Sequence, residues 1–184
     1  MGCDIHLHIE KRHRKSVEKG FTNWWQGDIY GEFSDRNYKM FAYLADVRSD
    51  GDDERVVPDR GIPDDVADST QDYYMHPIMD DEKTFEWYYD HPCRPVTLKT
   101  AEDWAKRCGS KIVNRYSTDD KYKDVTDPDY HSYNWCTTDE LEECIKKAES
   151  SDWGVAAAWK ALLAYMRAYE EGGYEVRAVY WFDS

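Results

Sequence analysis

Near its start the chain reads CDIHLHIE, residues 3–10. Successive residues of a strand point to opposite faces, so alternation sorts this stretch into two sets. Cys3, Ile5, Leu7 and Ile9 fall on one side, and Asp4, His6, His8 and Glu10 on the other. A carboxylate and imidazoles in line are ligand types that suit Zn, Mn, Fe or Ni. Asp-x-His on an early strand is also how many metal-dependent hydrolases begin their ligand set. Asp4 and His6 are therefore candidate metal ligands. The bland alternative is a solvated strand face, and His8 taken alone fits it better.

Further along, DPDYHSYNWCTTDEL places Asp127, Asp129, His131 and Ser132 just ahead of a well-capped helix. A loop that feeds a helix N-terminus offers free backbone donors and favours anions. His131 is a candidate third metal ligand or an acid/base group. Trp135 reads mainly as a hydrophobic anchor, and no Gly-x-Ser-x-Gly elbow surrounds Ser132. Arg36, Arg48 and Arg60 are candidates for holding a phosphate or carboxylate with two parallel bonds. Their bland alternative is ion pairing with Asp35, Asp46 or Asp59. If the two ends of the chain pair as strands, Asp183 or Arg177 comes near Asp4 and His6.

Other chemistry is poorly represented. Walker and Gly-x-Gly-x-x-Gly patterns are absent, and so is His-Glu-x-x-His. His76 and His91 each precede a proline and read as turn residues, and the aromatic run from Phe85 to Pro92 reads as packing. The five cysteines are odd in number and never spaced as Cys-x-x-Cys, which points to a reducing compartment and away from a zinc ribbon. The opening MGC lacks the Ser or Thr at position six that an acylation signal needs; His6 stands there. No secretory pattern and no membrane-length apolar run is present, so a cytoplasmic protein without a membrane partner is expected.

The elements that position these residues follow from composition and pattern. The chain has 184 residues, 41% hydrophobic and 15% aromatic, enough for one domain with a packed core. Its net charge of −14 repels nucleic acid, yet leaves room for a small phosphate ligand or for an acidic surface that imitates DNA. Residues 46–90 hold 15 acidic and 4 basic side chains with several Pro and Gly, and read as a loop-rich acidic insert. Helical periodicity marks YKMFAYLADVR, TAEDWAKRC with Thr100 as N-cap, TTDELEECIKKA with a Thr137/Glu140 capping box, and WGVAAAWKALLAYMRAYEEGG. CDIHLHIEKRH and YEVRAVYWFD read as strands, GDIYGEF and KIVNRY as weaker ones. The expected fold is α+β: a small, mostly antiparallel sheet with adjacent N- and C-terminal strands, covered by helices, the longest (about 153–171) packing on the apolar face.

MGCDIH, RNYKMFAYLADVR with RGIP after it, DYHSYNWCTTDEL and the closing VRAVYWFD together resemble a family of small uncharacterised proteins of bacteriophages and prophages. They come in that family's order and span almost the whole chain. The chain departs from the family pattern in the long segment between RGIP and DYHS, and in Cys136 and Thr137. The resemblance implies a phage setting inside a bacterial host cell, and no particular activity. Two functions are compatible with these residues. One is a metal-dependent hydrolase of a small phosphate-containing substrate, such as a nucleotide or nucleotide signal. Asp4, His6 and His131 would hold the metal and an arginine would neutralise charge. The other is a non-enzymatic accessory or anti-defence protein that binds a host protein through an acidic surface or sequesters a nucleotide.

Overall fold

The computed structural model describes residues 2–27, 33–51, 53–79, 92–116, 119–152 and 154–183. The chain forms an α+β fold in two compact units, one of residues 1–67 with 132–184 and one of residues 68–131.

The first unit is built on the two chain ends. Strand β1 (Ile5–His13) and the last strand, β9 (Tyr174–Asp183), pair antiparallel from Ile5 opposite Phe182 to His13 opposite Tyr174. Helix α1 (Arg14–Val17), β2 (Trp25–Gln26), β3 (Phe33–Asp35) and α2 (Tyr38–Ala45) follow β1. The sheet order is β2-β1-β9-β8, with β3 also on β1. β9 is therefore interior to the sheet, and Val176 to Phe182 are all buried. One face carries the alternating Ile5, Leu7 and Ile9 with Ala178, Tyr180 and Phe182, all in one core. Helix α2, helix α5 (Thr138–Glu149) and helix α6 (Ala157–Glu171) supply Phe41 and Leu44, Leu141 and Ile145, and Trp159, Leu162 and Met166 to that core. The expected cover of the apolar face by the longest helix is present.

Local signals explain the helix ends. Asn37 caps α2 by accepting from the Met40 amide, and Asp46 closes it in a left-handed conformation. Thr137 and Glu140 form the expected capping box on α5.

The second unit holds α3 (Asp68–Gln71), β4 (Met75–Met79), β5 (Val96–Thr97), α4 (Leu98–Cys108), β6 (Ile112–Tyr116) and β7 (Asp119–Thr126). Its four-stranded sheet has the order β5-β4-β7-β6. Helix α4 begins one turn earlier than its sequence pattern suggests. Thr97 is the N-cap and accepts from the Thr100 amide, so Thr100 lies inside the first turn, while Gly109 ends the helix as expected.

Two sequence expectations change. Residues 46–67 contain no helix or strand among those described, but α3 and β4 fall within the acidic stretch. The segment before α5 is not a loop but β8 (Tyr130–Thr137). Its aromatic and polar residues alternate too irregularly for a strand to be legible, with Ser132 in a left-handed conformation near its start. His91, the aromatic residues Phe85 to Asp90, and most of GDIYGEF lie outside the described residues.

Candidate functional site

The polar side of β1 is not an open solvated face. His8 is 2% exposed and Glu10 fully buried. Burial there demands partners, because an uncompensated charge in a dry site is costly. Glu10 has them. Its Oε1 accepts from the Ala67 amide at 2.8 Å, and its Oε2 accepts from Nε of Arg177 at 2.8 Å. Arg177 stands directly opposite Glu10 in the β1/β9 register. The guanidinium continues to the Asp65 carboxylate at 2.7 Å and the Asp65 carbonyl at 2.9 Å. Burial works against the charge on Asp65, but Arg177 and the Trp24 indole N–H hold its carboxyl below the usual range. Trp24 also lies between two cations, 4.0 Å from the Arg177 guanidinium carbon and 4.3 Å from that of Arg12. The charges of Glu10, Arg177 and Asp65 are matched to one another, which fastens residues 65–67 to the sheet.

The other half, where β1 begins and β9 ends, is arranged differently. Asp4 and Asp183 clamp each other: the Asp4 amide donates to Oδ1 of Asp183 at 2.7 Å, and the Asp183 amide donates to the Asp4 carbonyl at 3.2 Å. The second carboxylate oxygen of Asp183 lies 3.4 Å from Nε2 of His6. The Trp181 indole runs nearly parallel to the imidazoles of His6 and His8, 6.0 and 5.3 Å away centre to centre. His8 Nδ1 faces the Gln26 side-chain amide at 2.7 Å. The two rings are thereby set by their neighbours rather than left to rotate.

Arg36 completes this end. The Asp35 carboxylate accepts from the Arg36 amide at 2.8 Å and from the Trp159 indole at 2.5 Å, so α6 fixes the backbone that carries Arg36. The guanidinium forks onto Asp4, with Nε to Oδ1 and Nη2 to Oδ2, the latter at 2.7 Å. It also lies against Gly2, where a Cβ would stand 3.0 Å from Nη1. The fork holds the Asp4 carboxyl below the usual carboxylate range and raises Arg36 further above its own. Yet the Arg36 side chain is 63% exposed. It is an oriented cation at the surface beside an imidazole and two carboxylates. Arg48 has a left-handed backbone, and its charge pulls back the Cys3 thiol that burial pushes up.

Arg60 is placed elsewhere in the first unit. Arg60 forks onto Glu140, Nη1 to Oε2 at 2.9 Å and Nη2 to Oε1 at 2.5 Å, while Nη1 also reaches the Trp135 carbonyl. Its guanidinium stacks 4.5 Å from the Trp135 ring. Arg60 thus ties a surface segment to the start of α5. The start of α5 is closed by its own capping box: the Glu140 amide donates to Thr137 Oγ1, and the Glu140 carboxylate accepts from the Thr137 amide. His131 lies on β8, six residues before that cap, as the last residue of the second unit. His76 is a strand residue, not a turn residue. Its ring nitrogens face the Arg94 carbonyl at 2.7 Å and the Asp127 carboxylate at 2.8 Å, so both are engaged in holding the second unit together.

The residues of the first unit that meet are thus Asp4, His6, Arg36 and Asp183. Sequence reasoning reached Asp183 only through the pairing of the chain ends. It placed Glu10 on the polar side of β1 without its buried pairing to Arg177, and it did not reach Asn134. The buried Asn134 accepts from the Arg60 amide and donates to the Pro58 carbonyl and Tyr180 hydroxyl. Glu10 and Asn134 each lie in a strand with several other polar residues, so their type and spacing carry no signal that sets them apart. Among the described residues, no group of three or more His, Cys, Asp or Glu is placed to hold a metal ion, and no helix is long and apolar enough to cross a membrane. No family model, curated protein or solved structure matches the chain.

Proposed function

We propose that this is a phage-encoded hydrolase of a small phosphate-containing compound, such as a nucleotide or nucleotide signal, acting where β1 begins and β9 ends. The observation that carries the reading is the His6–Asp183 pair beside the exposed, oriented Arg36. An imidazole and a carboxylate are the groups that either activate water directly or hold a divalent metal that does so. Two donors of one tetrahedral ion with bonds of about 2.1 Å stand about 3.4 Å apart. His6 Nε2 and Asp183 Oδ2 have that separation, 3.4 Å. Arg36 supplies the cation that a phosphoryl group needs as its charge develops.

The test is phosphate release from a panel of nucleotides and phosphomonoesters by the full chain, with Mn²⁺ or Zn²⁺ and with chelator. His6→Ala and Asp183→Asn are expected to lower the rate about 100-fold or more, and Arg36→Ala to raise KM. Absence of turnover under every metal condition rejects the hydrolase.

The charge favours a second reading. A net −14, with 15 acidic against 4 basic side chains in residues 46–90, suits a non-enzymatic accessory protein that presents an acidic surface to a host protein. Such a binder leaves every substrate of the panel intact, and its effect on the host protein survives His6→Ala and Asp183→Asn.

A further inference from the structure

The Arg36 fork engages both oxygens of Asp4. With Asp4 held in the fork, the His6–Asp183 pair is the part of the cluster left to meet a metal among the described residues of the first unit. Three features bear on what happens when a phosphate-bearing ligand arrives. The Asp4 backbone is fixed by its double clamp to Asp183, so Asp4 stays at the strand end that carries His6 and Asp183 while its side chain is free to turn once Arg36 leaves it. Arg36 is long and mostly exposed, so a ligand in solution can reach its guanidinium and compete with Asp4 for the fork. Finally, a carboxylate meets a guanidinium fork with two oxygens, which is how a phosphate meets it.

We propose that Arg36 is a latch. Resting on Asp4, it keeps this carboxylate from a divalent cation; a phosphate-bearing ligand takes the fork in its place and releases Asp4, so that Asp4, His6 and Asp183 together bind the cation. Phosphate and metal then bind cooperatively, and the coupling is reciprocal. The inference rests on the metal-assisted reading above and adds to it an order of assembly: the site becomes metal-competent only when the anion is present, which keeps metal from being held idle. Arg36 thus touches the ligand's phosphate directly and controls the cation only through Asp4.

The experiment measures Mn²⁺ affinity of the full chain by electron paramagnetic resonance, with and without inorganic phosphate. The latch predicts that phosphate tightens Mn²⁺ binding to the wild type about fivefold or more, in the usual range of coupling between sites. Arg36→Gln and Arg36→Lys both tighten Mn²⁺ without phosphate and lose the response to phosphate. Lysine keeps the charge but cannot fork. Tightening in Arg36→Gln alone is therefore mere loss of repulsion and overturns the latch. Adding Asp4→Asn to Arg36→Gln removes the gain; if the gain persists, Asp4 is not the released ligand and the latch fails. Mn²⁺ bound by the wild type with no effect of phosphate overturns the latch and leaves the metal site standing. No Mn²⁺ bound by any variant, with or without phosphate, overturns the metal site itself. Arg36 lies at the surface, so these variants keep the fold; circular dichroism checks it.

Discussion

Glu10 and Arg177 show how one residue's neighbours decide its meaning. As the fourth polar position of β1, Glu10 looks like Asp4 and His6, yet it is fully buried and saturated by Arg177 and the Ala67 amide. Removing one member of a buried pair strands the other charge, at a cost of about 3–5 kcal/mol. Glu10→Leu and Arg177→Met alone are each expected to destabilise by that order in urea denaturation. The double variant leaves no buried charge stranded, only the largely exposed Asp65 carboxylate beside Arg12, and recovers most of the loss; additive losses would mean the two residues act independently. His6 and Asp183, by contrast, sit at a partly exposed strand end, and His6→Ala is expected to change the unfolding midpoint little while it removes ligand or metal binding.

At the scale of the element, helix α5 is secured at its first turn. Thr137→Ala removes the cap on the Glu140 amide and is expected to cost about 1 kcal/mol. Burial raises the Glu140 carboxyl, but the Arg60 fork and the Thr137 amide outweigh it and hold it below its ordinary value. A depressed folded pKa contributes stability that is complete above the unfolded value, about 4.3 for Glu. That contribution fades as pH falls through the lower folded value. The stability difference between the wild type and Glu140→Gln should therefore be level from neutral pH down to about 5 and shrink below about 4. A difference that grew on acidification would contradict the pairing. In α4, Thr97→Ala should cost more than Thr100→Ala, because Thr97 is the residue that accepts from the first-turn amide.

For the whole molecule, the last strand matters most. β9 lies between β1 and β8, and both its faces are buried. A chain ending at Gly173 would expose the apolar face of β1 and leave Glu10 without Arg177. It is expected to lose the cooperative unfolding transition and the near-ultraviolet dichroism of the intact protein, a loss that truncating a peripheral strand would not produce. The same strand carries Asp183, so the fold closes and the candidate site forms in one pairing event.

Alternation in CDIHLHIE and YEVRAVYWFD, the capping box and the Gly-ended helices determined the α+β class, the partnership of the terminal strands and the helical cover. These rest on local periodicity and on apolar area that only one face can bury, and both are written in order along the chain. Asp4 and His6 were legible as a pair for the same reason. Three things were decided only by tertiary structure. Arg36 sits on Asp4 while Arg60 sits on Glu140, though both arginines occur in Asp-Arg pairs of similar look; pairing among 38 acidic residues depends on which carboxylate folding brings near. β8 and β7 became strands because neighbouring strands accepted their hydrogen bonds, against weak patterns of their own. And Glu10 became buried where Asp4 stayed partly exposed, because burial is set by what the rest of the chain lays over a face, and alternation reports only which face a residue is on.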